Sequence, residues 1–195
     1  MNYSRRFFER DAAIVARELL GGILHHRVNG VMISGRIIET EAYDQNEAAC
    51  HGYRGVTERT APLFGLAGFS YVYFTYGMHY CFNVVTGKEG HGAAVLVRAL
   101  EPLEGKEQMY ARRKKAESDR DLLSGPAKLC QALGIDKTQN KIDLLESDTL
   151  YLSKGTIHQS ETVAVTTRIG ITQARELPWR FFIEGNHFVS RGKPS

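Results

Sequence analysis

Near the start of the chain the apolar residues fall at helical spacing. Ala12, Ile14, Val15, Leu19 and Leu20 predict a helix over residues 11–20 that ends at Gly21-Gly22. Beyond residue 22 the pattern changes to short β-branched or aromatic runs bounded by glycine and polar turns. These predict strands at about 23–28, 31–43, 69–76, 80–86, 93–100, 149–152, 163–168 and 180–184. Further helices are expected at 105–116 and 126–133, the second with Pro126 in its first turn and Ser124 as its cap. The strands run together, with helices interspersed rather than strictly alternating. This predicts an α+β fold, a curved antiparallel or mixed sheet surrounded by helices. With 195 residues and no visible repeat or low-complexity tract, one self-sufficient domain spanning 1–195 is expected.

Composition narrows the function classes. Charges interrupt the N-terminal residues MNYSRRFFERDAAIVARELLGG every few positions, so neither a signal peptide nor a membrane span is expected, and the cytoplasm is the expected location. Cys50, Cys81 and Cys130 have no metal-ligand spacing and cannot all pair. Free thiols, no structural zinc and a reducing compartment follow as expectations. The net charge of +3 and pI near 8.7 suit a nucleic-acid binder but are shared by many enzymes. The basic cluster ARRKKAESDR at 111–120 reads first as a solvated helix face or loop and second as a phosphate-binding patch.

Three local patterns stand out. In GRIIETEAY, residues 35–43, strand alternation points Glu39 and Glu41 to one face, where like charges need solvent, a cation or a function to compensate. In AAVLVRAL, Arg98 interrupts an apolar strand and so requires a carboxylate or water beside it. Arg36 and Arg98 are the candidate partners for Glu39. The segment GFSYVYFTYGMHYCFN, residues 68–83, is dense in tyrosine and phenylalanine. It reads either as an aromatic core hairpin or as a stacking surface for flat ligands, with Tyr71 and Tyr73 on one strand face and Tyr76-Gly77-Met78 as an outward turn.

Together with His51 after EAAC, Asn83, VLVRALEPLEG (95–105), SGPAKLCQALGI (124–135), RIGI (168–171) and PWRFFIEGN (178–186), these blocks resemble the alkyladenine (3-methyladenine) DNA glycosylase family, in that family's order and over nearly the whole chain. The resemblance implies an alkyladenine-glycosylase-like fold that flips damaged purines, namely 3-methyladenine, 7-methylguanine, hypoxanthine and ethenoadenine, out of duplex DNA. It implies hydrolysis of the N-glycosidic bond without a cofactor or metal.

By the same resemblance Glu41 is the general base. Arg98 and the main-chain carbonyl of Ile169 help hold the nucleophilic water. Tyr43 and His51 sandwich the flipped base, Tyr73 closes it edge-on, and Asn83 crowds a 2-amino group. Tyr76 fills the vacated space in the duplex, flanked by Met78 and His79. Thr57, Arg59 and Lys128 are expected to contact DNA.

Two departures are visible. Glu58-Arg59-Thr60 stands where the family commonly has Pro-Arg-Asn, and His79 stands where it often has an aromatic. No lysine in these blocks is placed as an amine nucleophile, so water attack without a strand-cleaving step is expected. The expected partner is double-stranded DNA carrying damaged purines, the expected state a monomer, associated with the nucleoid while on DNA. The alternatives are a non-catalytic damage reader and a hydrolase of free nucleosides.

Overall fold

The computed structural model describes residues 2–75 and 77–192. Helix α1 (Arg5–Phe8) is followed by α2 (Ala12–Glu18), which Asp11 starts by accepting from the amides of Ala13 at 2.8 Å and Ile14 at 3.3 Å. Ala12, Val15 and Ala16 bury the expected apolar side of α2, but Ile14 is half exposed.

Each strand expected from the sequence is present: β1 (Ile23–Val28), β2 (Val31–Asp44), β3 (Ser70–Thr75), β4 (His79–Val85), β5 (Ala93–Glu104), β6 (Leu150–Ser153), β7 (Val163–Thr166) and β8 (Arg180–Ile183). All pairings are antiparallel, in the order β3-β4-β5-β2-β1-β6, with β8 joined to β2 and β7 to β8. Strand β5 runs past its expected end because its ladder with β2 continues to Glu104. Its Pro102 lies beside a bulge, where a missing N–H is tolerated.

Strand β2 organises the sheet. One edge pairs with β5 over Ser34–Asp44, while the other pairs first with β1 and then, at Glu39–Glu41, with β8. Its central residues are therefore covered on every side. Across β2 to β5 the pleat sorts side chains: Ala42, Val72, Phe82, Val84, Val95 and Val97 join the main hydrophobic core with α2. Tyr43, Tyr71, Tyr73, Cys81, Asn83, Ala94, Leu96 and Arg98 line a cavity on the other face.

Helices α3 (Lys106–Arg112), α4 (Asp119–Leu123) and α5 (Pro126–Leu133) complete the fold, making it the expected α+β arrangement. Helix α3 ends four residues early. The basic run at its end is partly structural, with Arg112 donating to Ala132 O at 3.0 Å and Arg113 to Asp121 O at 3.0 Å. Helix α5 starts at Pro126 as expected, yet Ser124 does not cap it. Gly125, at φ 149°, occupies the cap position without a side-chain bond, and Ser124 is held in an isolated bridge with Ala99. Among the described residues no helix is long and apolar enough to cross a membrane.

Candidate active site

The β2–β5 ladder is irregular around Glu39 and Thr40. Glu39 pairs with Ala99 and Thr40 with Val97, so Arg98 is the extra residue of a bulge on β5. A bulge re-aims the side chain it carries. The Arg98 guanidinium lies against both carboxylates, Nε donating to Glu39 Oε1 at 3.0 Å and Nη1 to Glu41 Oε2 at 3.2 Å. Both glutamates are 0% exposed and Arg98 is 7% exposed. Strand alternation puts the like charges on one face, and a shared buried cation makes that arrangement tolerable.

Each carboxylate has its own set of donors. Glu39 accepts from Arg98, from Arg180 Nε at 2.8 Å, and from Ser190 through its amide at 2.7 Å and its hydroxyl at 2.9 Å. Burial works against the charge of Glu39, but Arg98, Arg180 and the Ser190 amide outweigh it and hold the carboxyl below its ordinary range. Arg36 is not a partner of Glu39. It pairs instead with Glu101 at 2.6 Å and Glu161 at 2.8 Å.

Glu41 accepts from the Tyr43 hydroxyl at 2.8 Å, from Arg98, and from the Ile169 amide at 2.7 Å. Burial first, and the Glu41 charge next, push the Tyr43 hydroxyl well above its usual pKa, so it remains a donor to Glu41. Arg98 stays charged: burial opposes this, and Glu41 and Glu39 overcome it.

The cavity beside this cluster has a volume of about 370 Å³, within the range of small-ligand sites, roughly 300–1,000 Å³. Its floor is the sheet face described above. Its remaining walls come from Ala49–His51, Leu63, Pro126 and Ile169–Ile171. The structure thus gathers Tyr43, His51, Tyr73, Asn83, Arg98 and Ile169 around one space, with Glu41 directly behind three of them.

Second contacts fix these walls. His51 Nδ1 is 3.0 Å from the Tyr71 hydroxyl, and its ring meets Tyr73 edge-on with centres 4.5 Å apart. Burial, then the Arg59 charge, lowers the His51 pKa, so the ring is neutral at neutral pH. Asn83 donates to the carbonyls of Tyr71 at 3.0 Å and Cys81 at 3.5 Å, which fixes the orientation of its amide. All three cysteines are buried as free thiols, and burial pushes the Cys50 thiol up to about 12.

The residues expected at the DNA surface are dispersed. Met78 is 70% exposed at the β3–β4 turn, and His79 is exposed beside it. Tyr76 lies outside the described residues. The Thr57 hydroxyl bonds Thr60 at 2.9 Å, and Lys128 lies 3.5 Å from Asp121. Arg59 is directed to the cavity rim, its guanidinium carbon 5.5 Å from the centre of the Tyr73 ring.

Contacts of Arg168, Arg180 and Ser190 were not foreseen. Arg168 is fully buried, donates to Glu47 at 2.6 and 3.0 Å and to Ala42 O at 3.0 Å, and lies over Tyr43 and Trp179 at 4.6 and 5.4 Å. It backs the pocket tyrosine. Arg180 and Ser190 complete the Glu39 cluster. The signal that identified Arg98, an arginine among apolar residues, was also present at Arg180 in PWRFFI. Ser190 and Glu47 carried no such signal.

A protein of Carboxydothermus hydrogenoformans is 51% identical over 187 residues, covering 96% of this chain and 97% of its own. One of Francisella tularensis is 49% identical over 179 residues, with 90% and 92% covered, and one of Methanoculleus marisnigri is 48% identical over 193 residues, with 98% and 100% covered. Each of these relatives carries a 3-methyladenine DNA glycosylase name. Residues 6–187 match the family described as methylpurine-DNA glycosylase (MPG), and the chain belongs to that family.

Proposed function

We propose that the protein is a DNA-3-methyladenine glycosylase, a hydrolase that removes damaged purines from double-stranded DNA and leaves an abasic site in an uncut strand. The observation that carries this reading is the convergence at Glu41. Its three hydrogen-bond donors, Tyr43, Arg98 and the Ile169 amide, all line a cavity of ligand size. A buried carboxylate held this way is fixed in position and close to the space a flipped base would occupy.

In this reading a water held near Arg98 and the Ile169 main chain gives its proton to Glu41 as its oxygen attacks C1′. The C1′–N bond breaks and its electron pair leaves with the base. A cationic base such as 3-methyladenine or 7-methylguanine departs neutral, whereas hypoxanthine or ethenoadenine departs as an anion. Tyr43 and His51 stack on the flipped purine, Tyr73 closes its edge, and Asn83 excludes a 2-amino group. Among the described residues no lysine lines the cavity, which supports water rather than an amine as nucleophile.

Tyr76 fills the gap in the stack, with Met78 and His79 against the minor groove and Thr57, Arg59 and Lys128 on the phosphates. The protein works as a one-domain monomer on cytoplasmic DNA. Single-turnover assays on duplexes carrying 3-methyladenine, 7-methylguanine, hypoxanthine or ethenoadenine test this. Base release with an alkali-labile but uncut strand is expected on at least one duplex. Comparable release from free deoxyinosine would replace the reading with nucleoside hydrolysis, and tight duplex binding without release would make the protein a damage reader.

A further inference from the structure

The residues that follow β8 return to the catalytic cluster. Phe188 and Val189 pack on Ile38, Ala99 and Ile183, which anchors residues 188–189 behind the sheet. Ser190 then places two donors on Glu39, its amide on Oε2 and its hydroxyl on Oε1. Two residues later, Gly192 lies against Ile169. A Cβ built at 192 would come within 2.5 Å of Ile169 Cγ2 and 2.6 Å of Cδ1, so only a glycine fits without displacing that side chain.

One short segment therefore touches both supports of Glu41. Through Glu39 it sets the position of Arg98, whose Nε is held by Glu39 while its Nη1 reaches Glu41. Through Gly192 it packs on the residue whose amide donates to Glu41 Oε1. These two supports approach Glu41 from different strands and loops, and residues 188–192 join them.

We propose that residues 188–192 form a positioning strap for the catalytic carboxylate, with Ser190 setting Arg98 through Glu39 and Gly192 setting the Ile169 amide. The proposal rests on Glu41 being the general base. The sign of its effect follows from charge. When the Ser190 hydroxyl is removed, Glu39 loses one of its donors and draws more strongly on Arg98, which is then less available to Glu41. The acid limb of the excision profile reports that loss of support. The Ser190 amide remains in Ser190→Ala, so the strap stays attached in that variant.

The test uses the full chain and its variants Ser190→Ala, Ser190→Thr and Gly192→Val. Two quantities are measured for each: the pH dependence of single-turnover release from a hypoxanthine duplex, and the hydrogen-exchange rate of the Ile169 amide. Ser190→Ala is expected to lose roughly tenfold in rate at neutral pH, the scale of one hydrogen bond to a charged group. Its acid limb moves to higher pH. Gly192→Val speeds exchange at the Ile169 amide and shifts the limb the same way. Ser190→Thr, which keeps the hydroxyl, restores the parent profile.

If Ser190→Ala and Gly192→Val keep the parent's acid limb and Ile169 exchange rate, even at a lower melting temperature, the segment is only structural and the proposal is overturned. Faster exchange with an unchanged pH profile also overturns it, because the strap then holds the loop without influencing the reaction. An active Glu41→Gln variant, by contrast, removes Glu41 as the base while leaving the exchange measurement as an independent reading of the strap.

Discussion

The amide of Ile169 donates to Oε1 of Glu41 over 2.7 Å, joining residues 128 positions apart in sequence. The resemblance assigned the Ile169 carbonyl to the water. The structure shows in addition that the amide of the same residue holds the Glu41 carboxylate. Replacing Glu41 by Gln keeps the shape and removes the proton acceptor. Glu41→Gln is expected to lower base release by orders of magnitude with duplex affinity retained, measured by single-turnover rate and by binding to the same hypoxanthine duplex. A rate within a few-fold of the parent would exclude Glu41 as the base.

Arg98 is shared by two fully buried carboxylates, so its removal leaves Glu41 without a charged donor and Glu39 with Arg180 alone among the described residues. Breaking a buried pair on one side costs about 3–5 kcal/mol. Arg98→Ala should lose stability on that scale in urea denaturation and lose most of its excision rate. Parent stability and full activity would remove Arg98 from both roles.

Arg168 presents a different case, since its guanidinium holds Glu47 in a two-point pair and supports the Tyr43 ring from behind. Arg168→Ala should again cost about 3–5 kcal/mol by stranding Glu47. Arg168→Lys cannot reproduce the planar two-point contact and should recover only part of the loss. Thermal and urea unfolding of both variants decide this, and equal stability of Arg168→Lys and the parent would show that geometry is unimportant there.

Stability should also respond to mild acid. His26 is buried with Nδ1 2.8 Å from Leu133 O, and burial, aided by the Arg112 charge, lowers its pKa below 6.5 in the folded state despite the Leu133 bond. The unfolded chain therefore binds a proton at a higher pH than the folded one. Stability is fully present above about 6.5 and falls as pH drops from there towards the folded-state value. His25 and His51, also lowered chiefly by burial, act in the same direction. Urea midpoints at pH 7.5 and 5.5 should differ less in His26→Gln than in the parent. An identical pH dependence in both proteins would show that His26 does not contribute.

Tyr76 tests whether duplex DNA is the substrate. Flipping costs a few kcal/mol, which an inserted ring offsets only where the base was well stacked and paired. Tyr76→Ser should slow release from a paired hypoxanthine duplex more than from a mismatched one. Equal losses on both, or none, would mean that the tyrosine does not fill the gap.

The sequence by itself determined the elements and most of the pocket. Period-two patterning located the strands and placed Glu39 with Glu41, Tyr71 with Tyr73, and Arg98 inside an apolar run, because side-chain alternation is a local property of the chain. It also located the resemblance blocks.

What the tertiary structure decided was the pairing of charges. Whether Glu39 met Arg36 or Arg98 depended on bulges in the β2–β5 ladder, which shift register without a distinctive residue pattern. Arg180, Arg168, Glu47 and Ser190 reach the site from segments up to 151 positions away from their partners. Sequence spacing carries no distance information at that range. Buried charges settle their partners by desolvation and geometry, and both exist only after the sheet has closed around β2.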